Sequence, residues 1–250
     1  EPINPIIFWI ENTTPHEFRD IIKEAVESWN FSFEKAGFKN AIRVKIQPDN
    51  AKWDAGDIRY NVLRWTSSPS PPFGGYGPSF TNPRTGQILG ADIMLEWVYF
   101  TNRILYENIY ISSDIKSDDY LINDKISTDF SDDLNICKNS IFNYQNNMFG
   151  LTNLKTLKYP EILRKDLIRQ SLKRLVLHEV GHTLGLTHNF KGSTLLSYDE
   201  IQNKDITHEK GLCSSIMEYP SINITLDSEN QGLFYDTLPG VYDSWAIQYG

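Results

Sequence analysis

The first apolar run, Ile6 to Ile10, has no polar break and reads as a buried strand. Thr14-Pro15-His16-Glu17 then reads as a helix start, with Thr14 as N-cap, Pro15 as the first helical residue and Glu17 as the return partner of a capping box. Phe18, Ile21, Ile22, Ala25, Val26, Trp29 and Phe33 recur at helical spacing, and Gly37 closes that helix. Ile42, Val44 and Ile46 alternate with other residues as a second strand. Asp57 to Trp65 reads as a third, with Ile58, Tyr60, Val62 and Arg64 on one face. Ser67 to Gly77 is a Pro-, Ser- and Gly-rich loop. Tyr76 to Thr81 is a short strand that Pro78 confines to an edge or a strand start. Asn82-Pro83-Arg84-Thr85-Gly86 is turn chemistry, and Ile88 to Val98 is a further strand. This order of strand, helix and then strands predicts a mixed α/β sheet with helices packed on it.

The pattern changes at Glu107. From there to Tyr159 the chain is dense in Asp, Asn, Ser and Lys, which predicts a loop-rich surface insertion with at most a short helix. From Pro160 the helical period returns. Ile168, Leu172, Val176, Val180 and Leu184 stand four apart and line one face, and Gly185 marks the stop. A last short helix is expected around Tyr242 to Tyr249.

Composition adds limits. The chain has 250 residues, 40% hydrophobic and 22% charged, with a formal charge of −8. That is ordinary for a globular protein, and its acidic balance argues against nucleic acid or an anionic membrane as the main partner. No apolar run approaches the ~18 residues of a membrane span. The absence of a leader-like start suggests a domain excised from a longer protein. Cys137 and Cys213 allow one disulfide or two thiols.

Chemistry concentrates in one window. Residues 178 to 188 read His-Glu-Val-Gly-His-Thr-Leu-Gly-Leu-Thr-His and hold three of the chain's five histidines. His178 and His182 lie four apart, so a helix projects them from one face, as two imidazoles sharing one Zn²⁺ require. Gly185 lets the backbone turn at positive φ, and His188 can swing back as third ligand. Three ligands leave a coordination position open, which is the catalytic arrangement. Glu179, between them, is the candidate general base for a water that attacks a carbonyl. His16 and His208 carry no assigned role. Farther on, Ser215-Ile216-Met217-Glu218-Tyr219 carries one of the chain's three methionines, 29 residues past His188.

With these motifs the chain resembles the metzincin zinc peptidases, most closely bacterial metzincin-like domains of secreted or surface proteins. Other stretches carrying the likeness are Ala25 to Asn30, Ala36-Gly37-Phe38, Asp57 to Tyr60, Gly77-Pro78-Ser79, Asn82 to Gly86, Asn189-Phe190 and Tyr242 to Ile247. The resemblance implies a twisted, mixed five-stranded sheet with two long helices in an upper lobe, residues 1–190 including the insertion at about 107–159. It implies an irregular lower lobe, residues 191–250, with the Met-turn at Met217 and a terminal helix. It further implies one catalytic zinc, extracytoplasmic location, a protein or peptide substrate extended along the edge strand at Tyr76 to Thr81, and any pro-segment lying outside this chain. Tyr219 matches the tyrosine of astacins and serralysins, an additional ligand or an oxyanion stabiliser. Asn189, after the third histidine, matches none of the best-known metzincin groups, so subsite preferences do not transfer. The alternative is a binding module that keeps zinc without turnover; the intact Glu179 favours the enzyme.

Overall fold

The computed structural model describes residues 1–67, 75–96 and 139–250. The first apolar run is strand β1 (Ile6–Ile10). Behind it come helices α1 (His16–Glu27) and α2 (Asn30–Lys35), then β2 (Ile42–Ile46) and β3 (Asn61–Thr66). β4 (Gly75–Tyr76), β5 (Ser79–Thr81) and β6 (Ile88–Glu96) complete the sheet among the described residues. β1 pairs in parallel with β2 and β3, and β3 in parallel with β6, with Ile6 opposite Ile42, Phe8 opposite Asn61 and Val62 opposite Asp92. β4 and β5 are antiparallel to β6, so the order is β2-β1-β3-β6-β4, with β5 also on β6. The expected five strands become six because Gly77-Pro78 divides the outermost one. Pro78 stands at the sheet edge as predicted, where it has no N–H to leave unpaired, and its carbonyl accepts from Asp92 N at 3.3 Å.

Three local expectations are corrected. The helix predicted through Phe33 breaks between α1 and α2: Trp29 N bonds Val26 O, three residues back, and the fully buried Trp29 ring donates Nε1–H to Leu177 O at 3.1 Å. The capping box at Thr14 does not form. Pro15 is the N-cap, Thr14 is buried, and Arg19 instead holds the entry by donating to the carbonyls of Thr14 and Asn12, each at 2.8 Å. The third strand begins at Asn61 rather than Asp57, because the Asp57 carboxylate accepts from Arg59 N at 3.1 Å and from its guanidinium, curling 57–60 into a turn.

The polar stretch before Pro160 holds the largest surprise. Its described part is an 18-residue helix, α3 (Asn139–Thr156). Two asparagines that read as surface residues are buried: Asn143 donates to Ser171 O at 3.2 Å and Asn147 to Ser171 Oγ at 2.6 Å, while Tyr235 OH donates to Asn147 Oδ1 at 2.9 Å. Leu151, Leu154 and Tyr159 join Leu167, Ile222, Phe234 and Tyr235 in a second apolar cluster. The rest of that stretch, with Cys137, lies outside the described residues; Cys213 is buried.

Helix α4 (Glu161–Thr183) crosses the main core. Its Leu172, Val176 and Val180 meet Phe8, Ile10, Leu63, Ile93 and Leu95 from the sheet and Ile22 and Val26 from α1. Each such buried side chain contributes roughly 1.5–3 kcal/mol. The remainder is short: α5 (Tyr198–Ile201), α6 (Lys204–Lys210) and α7 (Val241–Tyr249), joined by irregular chain. No described helix is long and apolar enough to cross a membrane.

Candidate metal centre

The last two turns of α4 carry His178, Glu179 and His182. Gly185 then adopts φ +91°, Leu186 N bonds back to Gly181 O at 3.0 Å, and the reversed chain returns His188 toward the helix. One ring nitrogen from each of His178, His182 and His188 lies within 4.8 Å of the others. The Nε2 atoms of His182 and His188 are 3.1 Å apart, and Tyr219 OH is 2.8 Å from His188 Nε2. His16 and His208 take no part in this cluster.

The ring orientations suit a cation. His178 Nδ1 is 2.8 Å from Ile216 O and His182 Nδ1 is 3.0 Å from Leu186 O. A carbonyl accepts only, so both Nδ1 atoms carry the proton and both Nε2 atoms present a lone pair. Burial holds all three imidazoles below the usual histidine range, most strongly the fully buried His178, where the Arg174 charge acts in the same direction. Neutral imidazoles with tied tautomers are what a zinc ion binds. The donor set therefore fits zinc.

Glu179 is fully buried beside the cluster. The edge strand comes close to it: a Cβ on Gly75 would sit 3.1 Å from Glu179 Cγ and 3.2 Å from Oε1, and one on Gly77 would fall inside 3.0 Å of the Glu179 carbonyl. Below the helix lies the turn with Met217, which is fully buried. A Cβ on Gly181 would meet Met217 Sδ at 2.5 Å and the Trp29 ring at 3.0 Å, so a glycine is needed where the turn packs under the histidines.

That turn is gripped along its backbone. Asp243 on α7 accepts from Ser215 Oγ at 2.6 Å and from the N–H groups of Ile216 and Gly240 at 2.7 Å. Ser215 Oγ accepts from Met217 N at 3.1 Å, and Asn189 N donates to Met217 O at 3.1 Å. Arg174, buried one helical turn before His178, donates to the carbonyls of Ile216 and Glu218. Ile216 O thus serves both Arg174 and His178. Sequence reading passed over Arg174 and Gly75, and placed Asp243 only within the stretch Tyr242 to Ile247, without a role. The available signals were an arginine on the apolar side of a helix and an Asp in the first turn of a helix that follows Gly240.

Neither the curated proteins nor the solved structures gave a match to this chain. Residues 161–250 match the model of a family described as Met-zincin, a span running from the first residue of α4 through the histidine window, the Met217 turn and α7. Three imidazoles that could hold a zinc ion lie inside that span, which is consistent with a metzincin-like domain over residues 161–250.

Proposed function

We propose that this chain is a zinc-dependent endopeptidase of the metzincin type, acting on proteins or peptides outside the cytoplasm. The observation that carries the reading is the convergence of His178, His182 and His188, with Glu179 on the same helical turn as His178. When bound, zinc supplies Lewis acidity that makes a water more acidic and a carbonyl more electrophilic. His178, His182 and His188 would hold it through their ring nitrogens. The Glu179 carboxylate takes the proton of the attacking water and delivers it to the leaving amine. The Tyr219 hydroxyl, 2.8 Å from His188 Nε2, stands as a donor to the developing oxyanion or as an additional ligand. Met217 closes the floor as the Met-turn. The peptide lies extended beside β4 and β5, the antiparallel edge of the sheet, where strand addition supplies backbone hydrogen bonds. The location rests on the resemblance to secreted and surface domains.

The test uses Glu179→Gln, which keeps shape and an accepting oxygen but removes the base. Wild type and variant, at matched zinc content, are given a broad peptide library with a chelator control. The variant should cut about 10²–10⁴ times more slowly. A wild-type protein that retains zinc and cuts nothing sinks the peptidase reading and leaves a zinc-holding binding module.

A further inference from the structure

Two phenylalanines stand exposed beside the histidine cluster. Phe190, two positions past His188, is 61% exposed, with its ring centroid 5.4 Å from His188 and 5.2 Å from Tyr219. Phe142, on α3, is 47% exposed and 5.6 Å from Tyr219. Tyr219 is therefore flanked by two rings from separate parts of the chain, and its hydroxyl reaches a ligand nitrogen. Single exposed apolar residues are ordinary, but grouped apolar surface marks a place where something binds. Here the position of that surface suggests what binds: a molecule presenting a polar group to the three imidazoles has the adjoining rings within reach of its neighbouring side chain.

We infer that Phe142 and Phe190 form an aromatic shelf that selects a large apolar side chain, aromatic above all, next to the substrate group held at the histidine cluster. As a statement about which peptide bond is cut, this rests on the peptidase reading. As a statement about binding, it does not. Ring against ring in offset or edge contact favours an aromatic side chain over an aliphatic one of similar area. A charged side chain placed there would lose hydration against three aromatic rings.

The test is a binding measurement on the zinc-loaded protein, with two probes: N-acetyl-phenylalanine hydroxamic acid and N-acetyl-alanine hydroxamic acid. Both offer the same chelating group and differ only in the side chain. The phenylalanine probe should bind about ten- to a hundredfold more tightly, the range set by burying one large apolar side chain. Phe190→Ala and Phe142→Ala should each shrink that ratio while zinc content stays constant. Phe190→Leu, measured with N-acetyl-leucine hydroxamic acid as a third probe, should keep the preference for large over small but weaken the preference for the phenylalanine over the leucine probe. Equal affinities in the wild type, a ratio unchanged in both alanine variants, or no binding of either probe to zinc-loaded protein overturns the shelf. So does a loss that is the same for both probes, which would give the two rings only the task of holding Tyr219. Selective binding without peptide cleavage would leave the shelf standing and remove the peptidase reading. Cleavage with no side-chain preference would do the reverse.

Discussion

Gly75 and Gly77 both press on Glu179, but in different ways, and the difference sets a prediction. A methyl group on Gly75 meets the Cδ1 of Leu175 at 3.0 Å and the Glu179 side chain, atoms that can rotate aside. On Gly77 it meets the backbone carbonyl of Glu179, which is fixed in the helix. Overpacking of this kind costs roughly 1–3 kcal/mol. Gly77→Ala should therefore destabilise more than Gly75→Ala in denaturant unfolding, and if Glu179 is the base it should also slow cleavage at unchanged zinc content. Equal midpoints for the two variants would show that the strand shifts freely. The three histidines and Glu179 were legible because a four-residue spacing needs only a helix to become a shared face. The glycines were not, since their reason lies on a helix about a hundred positions away. Arg174 and Asp243 were hidden likewise: their bonds to Ile216 span 42 and 27 positions.

At the level of elements, α7 and α4 hold the Met217 turn between them. Asp243 reaches it from α7 by accepting from Ser215 Oγ and Ile216 N, with a third bond from Gly240 N at its own helix start, and Arg174 reaches it from α4. Burial pushes the Asp243 carboxyl above the ordinary carboxylate range, and the three donors only partly offset that push. Asp243→Asn puts an NH₂ where an oxygen accepted, leaving at least one buried donor facing another. The expected loss is about 3 kcal/mol, since the stranded groups are desolvated. Ser215→Ala should cost about 1 kcal/mol. Because Ile216 O orients His178, Asp243→Asn should also release zinc more readily in chelator competition. Unchanged zinc retention alongside the lost stability would confine Asp243 to a packing role. The strands and the long helix were readable from hydrophobic period. Helix α3 was not, because Asn143 and Asn147 face inward, and polar residues that serve buried hydrogen bonds look like surface in a sequence.

For the molecule as a whole, the histidine cluster links folding to acidity. In the metal-free protein burial lowers all three imidazole pKa values, so between the lowered values and about 6.5 the unfolded chain binds more protons than the folded one. Stability must then fall as pH drops below about 6.5. Asp236 and Asp243 work in the opposite direction, because their raised carboxyls take up protons first in the folded state as pH falls. The histidine part is isolated by comparison with a His178→Ala/His182→Ala/His188→Ala variant. Chelator-treated wild type should lose more of its thermal midpoint between pH 7.5 and 5.5 than the triple variant does. Parallel pH curves would mean that the imidazoles are not held neutral by the fold. Zinc added at pH 7.5 should raise the wild-type midpoint alone.

The divided outer strand has a consequence for solubility. An open sheet edge is a template on which a second molecule can continue the ladder, and long flat edges invite fibrous association. Among the described residues the edge offers Gly75–Tyr76, then Gly77 and a proline without an N–H, then Ser79–Thr81. Neither described piece is long enough to seed a stable neighbouring sheet, and the opposite edge, β2, carries Arg43 and Lys45. Replacing Pro78 by a residue that donates would lengthen the ladder past the break and leave a protein more prone to assemble with itself.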